Sequence, residues 1–246
     1  MPTLEQLAES TAAYLLPQPG YDKLVLEQFT YIAGPNNAWV LDVVEPDVDW
    51  ARAESRRRGI PLVEWWVGWS SPADLANTLL EHGLVPDDEP VLIGMTCATE
   101  PPAAAHIEVR AIETVEQYLE AVAIDWEVWD VPAAEREQRR VTETARFQSS
   151  LETGTVHHWA AYEDGVPLGF GRAVDMDGGA ALMGGAVLPE ARGRGIYRAL
   201  VHARWEYVVN RGTPLLVVQA GAMSAPILAS LGFASHGEIR LYADRL

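Results

Sequence analysis

His157 to Tyr162 reads as a strand that stops at Glu163-Asp164-Gly165, and a second run follows from Val166 to Val174. A period of two places successive side chains on opposite faces of a strand, and Asp-Gly between two such runs predicts a hairpin. Asp177-Gly178-Gly179 makes another turn, into a strand that ends at Leu188. The period then changes. Tyr197 to Trp205 reads as helix, and Pro214 to Gln219 as a short buried strand. Ser224 to Ser230 reads as helix, closed by Leu231-Gly232-Phe233, and Glu238 to Tyr242 as a last strand.

The first part of the chain echoes this pattern. Arg58-Gly59-Ile60-Pro61-Leu62-Val63 matches Arg211-Gly212-Thr213-Pro214-Leu215-Leu216, and each follows a helical stretch and opens a strand. Small-residue turns come next, from Gly68 to Pro72 and from Gly221 to Pro226. Leu80-Glu81-His82-Gly83-Leu84 then mirrors Ala229-Ser230-Leu231-Gly232-Phe233, and a strand from Pro90 to Thr96 closes the first copy. Ala98 to Ala105, with its Pro-Pro and alanines, reads as the linker. Trp65 and Trp66 are neighbours on a strand and therefore face opposite ways, and with Trp69 they are expected in packing.

A net charge of −17, with Lys23 the only lysine, argues against sequence-independent nucleic-acid binding and favours approach of a cationic amine. No apolar run is long enough for a membrane span, and Met1 to Gln6 has no basic region or apolar signal core. A soluble, cytoplasmic protein is expected, with no membrane partner. Cys97, the only cysteine, lies in an apolar run and is expected to be buried and inert. No metal-ligand spacing occurs, so no metal is expected.

The sharpest local chemistry lies between the third strand and the helix that follows, in Leu188-Pro189-Glu190-Ala191-Arg192-Gly193-Arg194-Gly195-Ile196-Tyr197-Arg198. A glycine-containing loop opening a helix gathers backbone N–H groups and the positive end of the helix dipole at one place, which suits a pyrophosphate. Arg192 to Tyr197 resembles motif A of the GNAT superfamily of acyl-CoA N-acyltransferases, Arg/Gln-x-x-Gly-x-Gly/Ala, with Tyr197 where the family has a small residue. The order of elements from residue 106 to 246 is also similar to that family. The resemblance implies an α/β fold with a mixed α+β sheet. It implies two GNAT-like domains, each a central, mostly antiparallel sheet flanked by helices. Residues 1–98 would be a degenerate half without a phosphate loop, since Asp47 and Asp49 stand where the loop would be. Residues 106–246 would be the N-acyltransferase domain.

The resemblance further implies acetyl-CoA or another acyl-CoA as cosubstrate, held by Arg192, Gly193, Arg194, Gly195, Ile196, Tyr197 and Arg198. Ala186, Val187 and Leu188 would lie along the pantetheine. A primary amine of a small molecule would attack the thioester directly in a ternary complex, since no activated nucleophile is evident. Family members often carry a tyrosine where Leu228 stands, so the thiolate acid is missing, with Ser224, Tyr242 or Tyr197 as substitutes. Asp125-Trp126-Glu127-Val128-Trp129-Asp130, read as a loop between two helices, offers Glu127 as catalytic carboxylate and Trp126, Trp129 and Asp130 as amine contacts. The same six residues also read as an amphipathic helix end with core tryptophans. A CoA-binding sensor without turnover, or transfer from a carrier-protein thioester, are rival functions; the negative charge disfavours the second.

Overall fold

Capping and periodicity fix the boundaries of most elements. The structure, a computed structural model, describes residues 2–14, 21–104 and 106–246; Met1 of the leader reading and Ala105 of the linker lie outside them. In chain order the elements are α1 (Leu4–Glu9), α2 (Thr11–Tyr14), β1 (Asp22–Val25), β2 (Thr30–Ala33), β3 (Ala38–Leu41), α3 (Val48–Arg58), β4 (Leu62–Val67), α4 (Leu75–Glu81) and β5 (Val85–Cys97). They continue with β6 (Glu108–Ala111), α5 (Val115–Val128), α6 (Ala133–Thr153), β7 (Val156–Glu163), β8 (Val166–Met176) and β9 (Gly179–Val187). After a single 3₁₀ turn come α7 (Ile196–Asn210), β10 (Leu216–Ala220), α8 (Ala225–Ser230) and β11 (Ala234–Arg245).

By packing, the chain forms two units: residues up to Thr96 together with Val218–Leu246, and Cys97–Val217. In the first, strands run in the order β1-β2-β3-β4-β11-β5, so the last strand of the sequence lies between two early ones. β11 pairs antiparallel with β4, from Arg240 opposite Val67 to Arg245 opposite Leu62, and with β5 on its other side. Arg52 of α3 holds it there by a bidentate pair to the buried Asp244, at 2.8 and 3.1 Å. Trp65 fills the core with Phe29 and Tyr31, while Trp66 faces the other way onto Trp39. Trp69 packs over Gly94 and Gly237. Cys97 is buried, its thiol pushed up by burial and donating to the Thr99 carbonyl.

In the second unit the order is β10-β9-β8-β7-β6. β9, β8, β7 and β6 are antiparallel neighbours, while β10 runs parallel to β9, with Leu216 opposite Ala180 and Val217 opposite Ala181. Helices α5 and α6 cover one face through Tyr118, Val122, Trp126 and Phe147, packed on Phe170 and Ala160.

The sequence echo extends to backbone geometry. After α3 the Ile60 amide reaches back to the Ser55 carbonyl, and after α7 the Thr213 amide reaches back to Val208, each across a left-handed glycine. Leu84 to Leu79 and Phe233 to Leu228 repeat that closure after α4 and α8. β3 is parallel to β4 as β9 is to β10. The helix starts differ. Asp47 caps α3 by accepting the Trp50 amide at 2.9 Å, whereas α7 begins at Gly195 with no side chain on its first amides. The first copy has filled with a carboxylate the position that the second leaves open.

The ends of three elements differ most from the sequence reading. Asp125 to Val128 form the last turn of α5 rather than a loop, because the apolar stripe of that helix runs on through Ile124 and Trp126 into the core. β5 and β11 are longer than the apolar runs at Pro90–Thr96 and Glu238–Tyr242. Pairing with each other extends them through polar residues.

Candidate acyl-CoA site

The site is built on the end of β9 and the start of α7. Opposite β8, Gly171 faces Gly185 and Arg172 faces Met183, so Gly184 is an extra residue at φ +62 and β9 bulges there. Its carbonyl is held from below: Arg204 of α7, 1% exposed, donates to the carbonyls of Gly184 at 3.3 Å, Arg172 at 3.2 Å and Leu200 at 2.9 Å.

Leu188 leads through the 3₁₀ turn to Arg192, and then the chain takes positive φ at Gly193 (+77) and Gly195 (+87). L-residues with a Cβ rarely adopt these angles, which is why glycine stands at both. The consequence is an open set of donors. Among the described residues, no protein acceptor takes the amide hydrogens of Gly193, Arg194, Gly195, Ile196, Tyr197 or Arg198; the first helical bond is Ala199 to the Gly195 carbonyl. Gly193 and Arg194 are exposed, so solvent reaches them. Helix N-termini with free amides bind anionic oxygens.

The side chains around the loop divide. Arg194 pairs with Glu163 on the β7–β8 turn, and His106 lies 3.2 Å from the Arg194 carbonyl. Arg192 reaches the Val187 carbonyl at 3.4 Å, and Arg198 is exposed. Ile196 fits against β8 because residue 169 is glycine; a Cβ there would stand 2.5 Å from the Ile196 side chain. Tyr197 lies on β9, with its ring 2.8 Å from where a Cβ of Gly185 would be, and burial pushes its phenol up. The ring therefore packs against the β9 backbone at Gly185.

On the α5–α6 face the sheet carries charges. Glu143 of α6 is buried, accepting from Tyr118 and from Arg146 at 2.7 Å each. Asp125, half-buried on α5, has its carboxyl pushed up by burial, partly offset by the charge of Arg172 and a hydrogen bond from Trp129. His158 is enclosed by Tyr118, Phe147 and Phe170; burial, then the charge of Arg172, pushes it down to about 3. His157 points to the other face, its ring nitrogen 2.6 Å from the Tyr207 hydroxyl.

His158 binds its proton far less well folded than unfolded, where a histidine titrates near ~6.5. Its contribution to stability is present above that value and is lost as pH falls from about 6.5 toward about 3. His158→Phe keeps a ring among rings and removes this titration. Urea unfolding of wild type and variant across that range is expected to show a difference that grows in the variant's favour as pH falls, by on the order of a few kcal/mol. A constant difference would contradict it.

The structure places Ala186, Val187, Leu188 and Arg192 through Arg198 together, along β9 and around the start of α7. It separates the other named residues. Trp126 is 3% exposed and belongs to the core, so it offers no wall to a substrate, because its apolar ring fills the space under α6. Trp129 is 63% exposed at the end of α5, next to Asp130, which is exposed with φ +50. Glu127 is exposed and paired with Arg136 at 2.9 Å. Ser224 belongs to the first unit and lies 3.3 Å from the Gly221 carbonyl. Tyr242 sits in that unit's core, on the strand pairing with Trp65. Asp125 and Arg172 were passed over in sequence. Asp125 stood among the named residues, but only the packing of α5 on β8 distinguishes it from Glu127. Among the described residues no group of His, Cys, Asp and Glu is arranged to hold a metal ion, and no helix is long and apolar enough to cross a membrane.

Residues 118–233 match the model of the Acetyltransferase (GNAT) family. No curated protein matches the sequence. Among solved structures, the fold is similar to a GCN5-related N-acetyltransferase from Kribbella flavida, with TM-score 0.71 and 16% identity over 99% of this chain and 96% of that one. It is also similar to a tandem GNAT protein from the clavulanic acid biosynthesis pathway, with TM-score 0.65, 17% identity and coverage of 99% and 88%. A third is a GCN5-related N-acetyltransferase from Sphaerobacter thermophilus, with TM-score 0.65, 16% identity and coverage of 90% and 82%. The stretch that matches that model, from Tyr118 to Phe233, contains the bulged strand and the open loop.

Proposed function

We propose that the protein moves an acetyl or other short acyl group from acyl-CoA to a primary amine of a small molecule. The observation that carries this reading is the run of unclaimed amides from Gly193 to Arg198 at an uncapped helix start. Six donors and the helix dipole suit the two phosphates of CoA, with Arg192 and Arg198 adding charge. Ala186, Val187 and Leu188 would hold the pantetheine arm, and Tyr197 would lie beside it. In this reading 106–246 is the working acyltransferase domain. Residues 1–98 are a GNAT-like half whose phosphate position is taken by Asp47.

For the chemistry, the neutral amine attacks the thioester carbonyl, a C–N bond forms, the C–S bond breaks, and the thiolate leaves. The amine's proton goes to a carboxylate. Asp125 is better placed for that than Glu127: it is half-buried and its proton affinity is raised, whereas Glu127 is exposed and paired with Arg136. Trp129 and Asp130, exposed at the end of α5, form the lip over which the amine enters. A thiolate is an acceptable leaving group, so no protein acid is assigned to it.

One observation favours the sensor alternative. Leu228, at the position where the family often carries its tyrosine, is fully buried. An amine panel with acetyl-CoA and detection of released thiol separates the readings. Acyltransfer predicts amine-dependent thiol release with a matching acylated product; CoA binding without any such release would support the sensor.

A further inference from the structure

Arg172 is a cation with nothing to hold. It lies on β8 two residues after Phe170, and its guanidinium stands 5.7 Å over that ring. Its Nε is buried and without a hydrogen-bond partner, and among the described residues no acceptor takes any of its side-chain hydrogens. The acids around it do not close on it. Glu143 is occupied by Tyr118 and Arg146. Asp125 feels the charge of Arg172, but no ion pair within 4 Å joins them among the described residues. A desolvated donor left without an acceptor is costly, and more so when the group is charged.

The position is as telling as the missing partner. A Cβ on Gly184 would lie 3.1 Å from one terminal nitrogen of Arg172 and 3.4 Å from Nε, so the guanidinium sits directly on the β9 bulge. Gly184 and Gly185 are exposed, so a molecule at the bulge meets the guanidinium. A guanidinium is a planar fork suited to two parallel bonds with a carboxylate. Arg172 and Asp125 thus offer opposite charges on one face, apart from each other.

We propose that Arg172 receives a carboxylate carried by the substrates, and that the acceptor is an amine with a carboxylate close by, as in an α-amino acid. Arg172 takes the carboxylate and Asp125 faces the amine. The inference rests on the acyltransfer reading for its place in the reaction. A carboxylate on the acyl chain would satisfy the same fork, and the two sources separate experimentally.

The test uses the full chain, wild type and Arg172→Gln, with two matched comparisons. In the first, L-α-amino acids are set against their α-amides with acetyl-CoA. In the second, succinyl-CoA is set against butyryl-CoA with the amides as acceptors. Thiol release gives kcat/KM, and calorimetry on the CoA-saturated protein gives acceptor binding without turnover. A bidentate charged pair predicts a preference of about tenfold to a hundredfold for the carboxylate in one comparison. That preference falls to near unity in Arg172→Gln, with CoA affinity retained as the sign of an intact fold. Arg172→Lys, which keeps the charge and loses the fork, is expected to keep part of it. No carboxylate preference in wild type, or a preference that survives Arg172→Gln, overturns the proposal. Carboxylate-dependent binding that needs Arg172, without thiol release from any pair, supports the proposal and overturns the acyltransfer reading.

Discussion

Gly195→Glu is expected to abolish CoA binding while the protein stays folded. Gly195 is the N-cap of α7 at φ +87, and a Cβ there would stand 3.5 Å from Ala104 and 3.6 Å from His106. A side chain there strains the backbone by about 1–2 kcal/mol and puts a carboxylate into the donor cluster. A carboxylate ~5 Å from one phosphate charge costs about 3 kcal/mol at an effective dielectric of ~20, which alone is a hundredfold or more in affinity. Calorimetric titration with CoA, with circular dichroism as the control for folding, measures this. Unchanged affinity in a folded variant would move the phosphate site elsewhere.

Asp125→Asn is the second large effect, and it separates activity from stability. Loss of a general base is expected to lower turnover by about 10²- to 10⁴-fold. Stability moves the other way. The folded carboxyl of Asp125 holds its proton more tightly than an unfolded one, because burial penalises the charge. Folding is therefore unaffected by this group below the unfolded value near ~3.9. It loses stability as pH rises through the window up to the raised folded value. Asparagine removes that loss, so the variant is expected to be at least as stable as wild type at pH 7, with the difference shrinking below about pH 4. In wild type, kcat/KM falls as acidification protonates Asp125, and this limb is expected to vanish in the variant. Near-normal turnover in Asp125→Asn would assign the base elsewhere, with Glu127 next in line.

The second half of the fold was legible because its signals are local. Glu163-Asp164-Gly165 and Asp177-Gly178-Gly179 make their turns from residues within the turn, and all three strands of the meander appear with small boundary changes. The Arg-Gly-x-Pro echo was legible for the same reason: each glycine closes a helix by an amide reaching back five residues. The destination of β11 was not legible. Its apolar positions would suit any half-buried sheet, and its seat between β4 and β5 is fixed by long-range contacts such as Arg52 with Asp244. The open run of amides could be read from two glycines and a helix start. The acceptor side could not. Asp125 and Glu127 are two residues apart on one helix, and only packing on β8 buries the first and exposes the second. Arg172 looked like any strand arginine until its missing acceptor and its contact with the bulge appeared.

The free amides from Gly193 to Arg198 carry the acyl-CoA site. Hydrogen exchange at these amides, followed by two-dimensional NMR with and without CoA, tests it most directly. Saturating CoA is predicted to shift their resonances and slow their exchange, while the start of α3, already capped by Asp47, stays unchanged. CoA that binds while leaving these amides exchanging as before would contradict the site, and with it the acyltransferase reading.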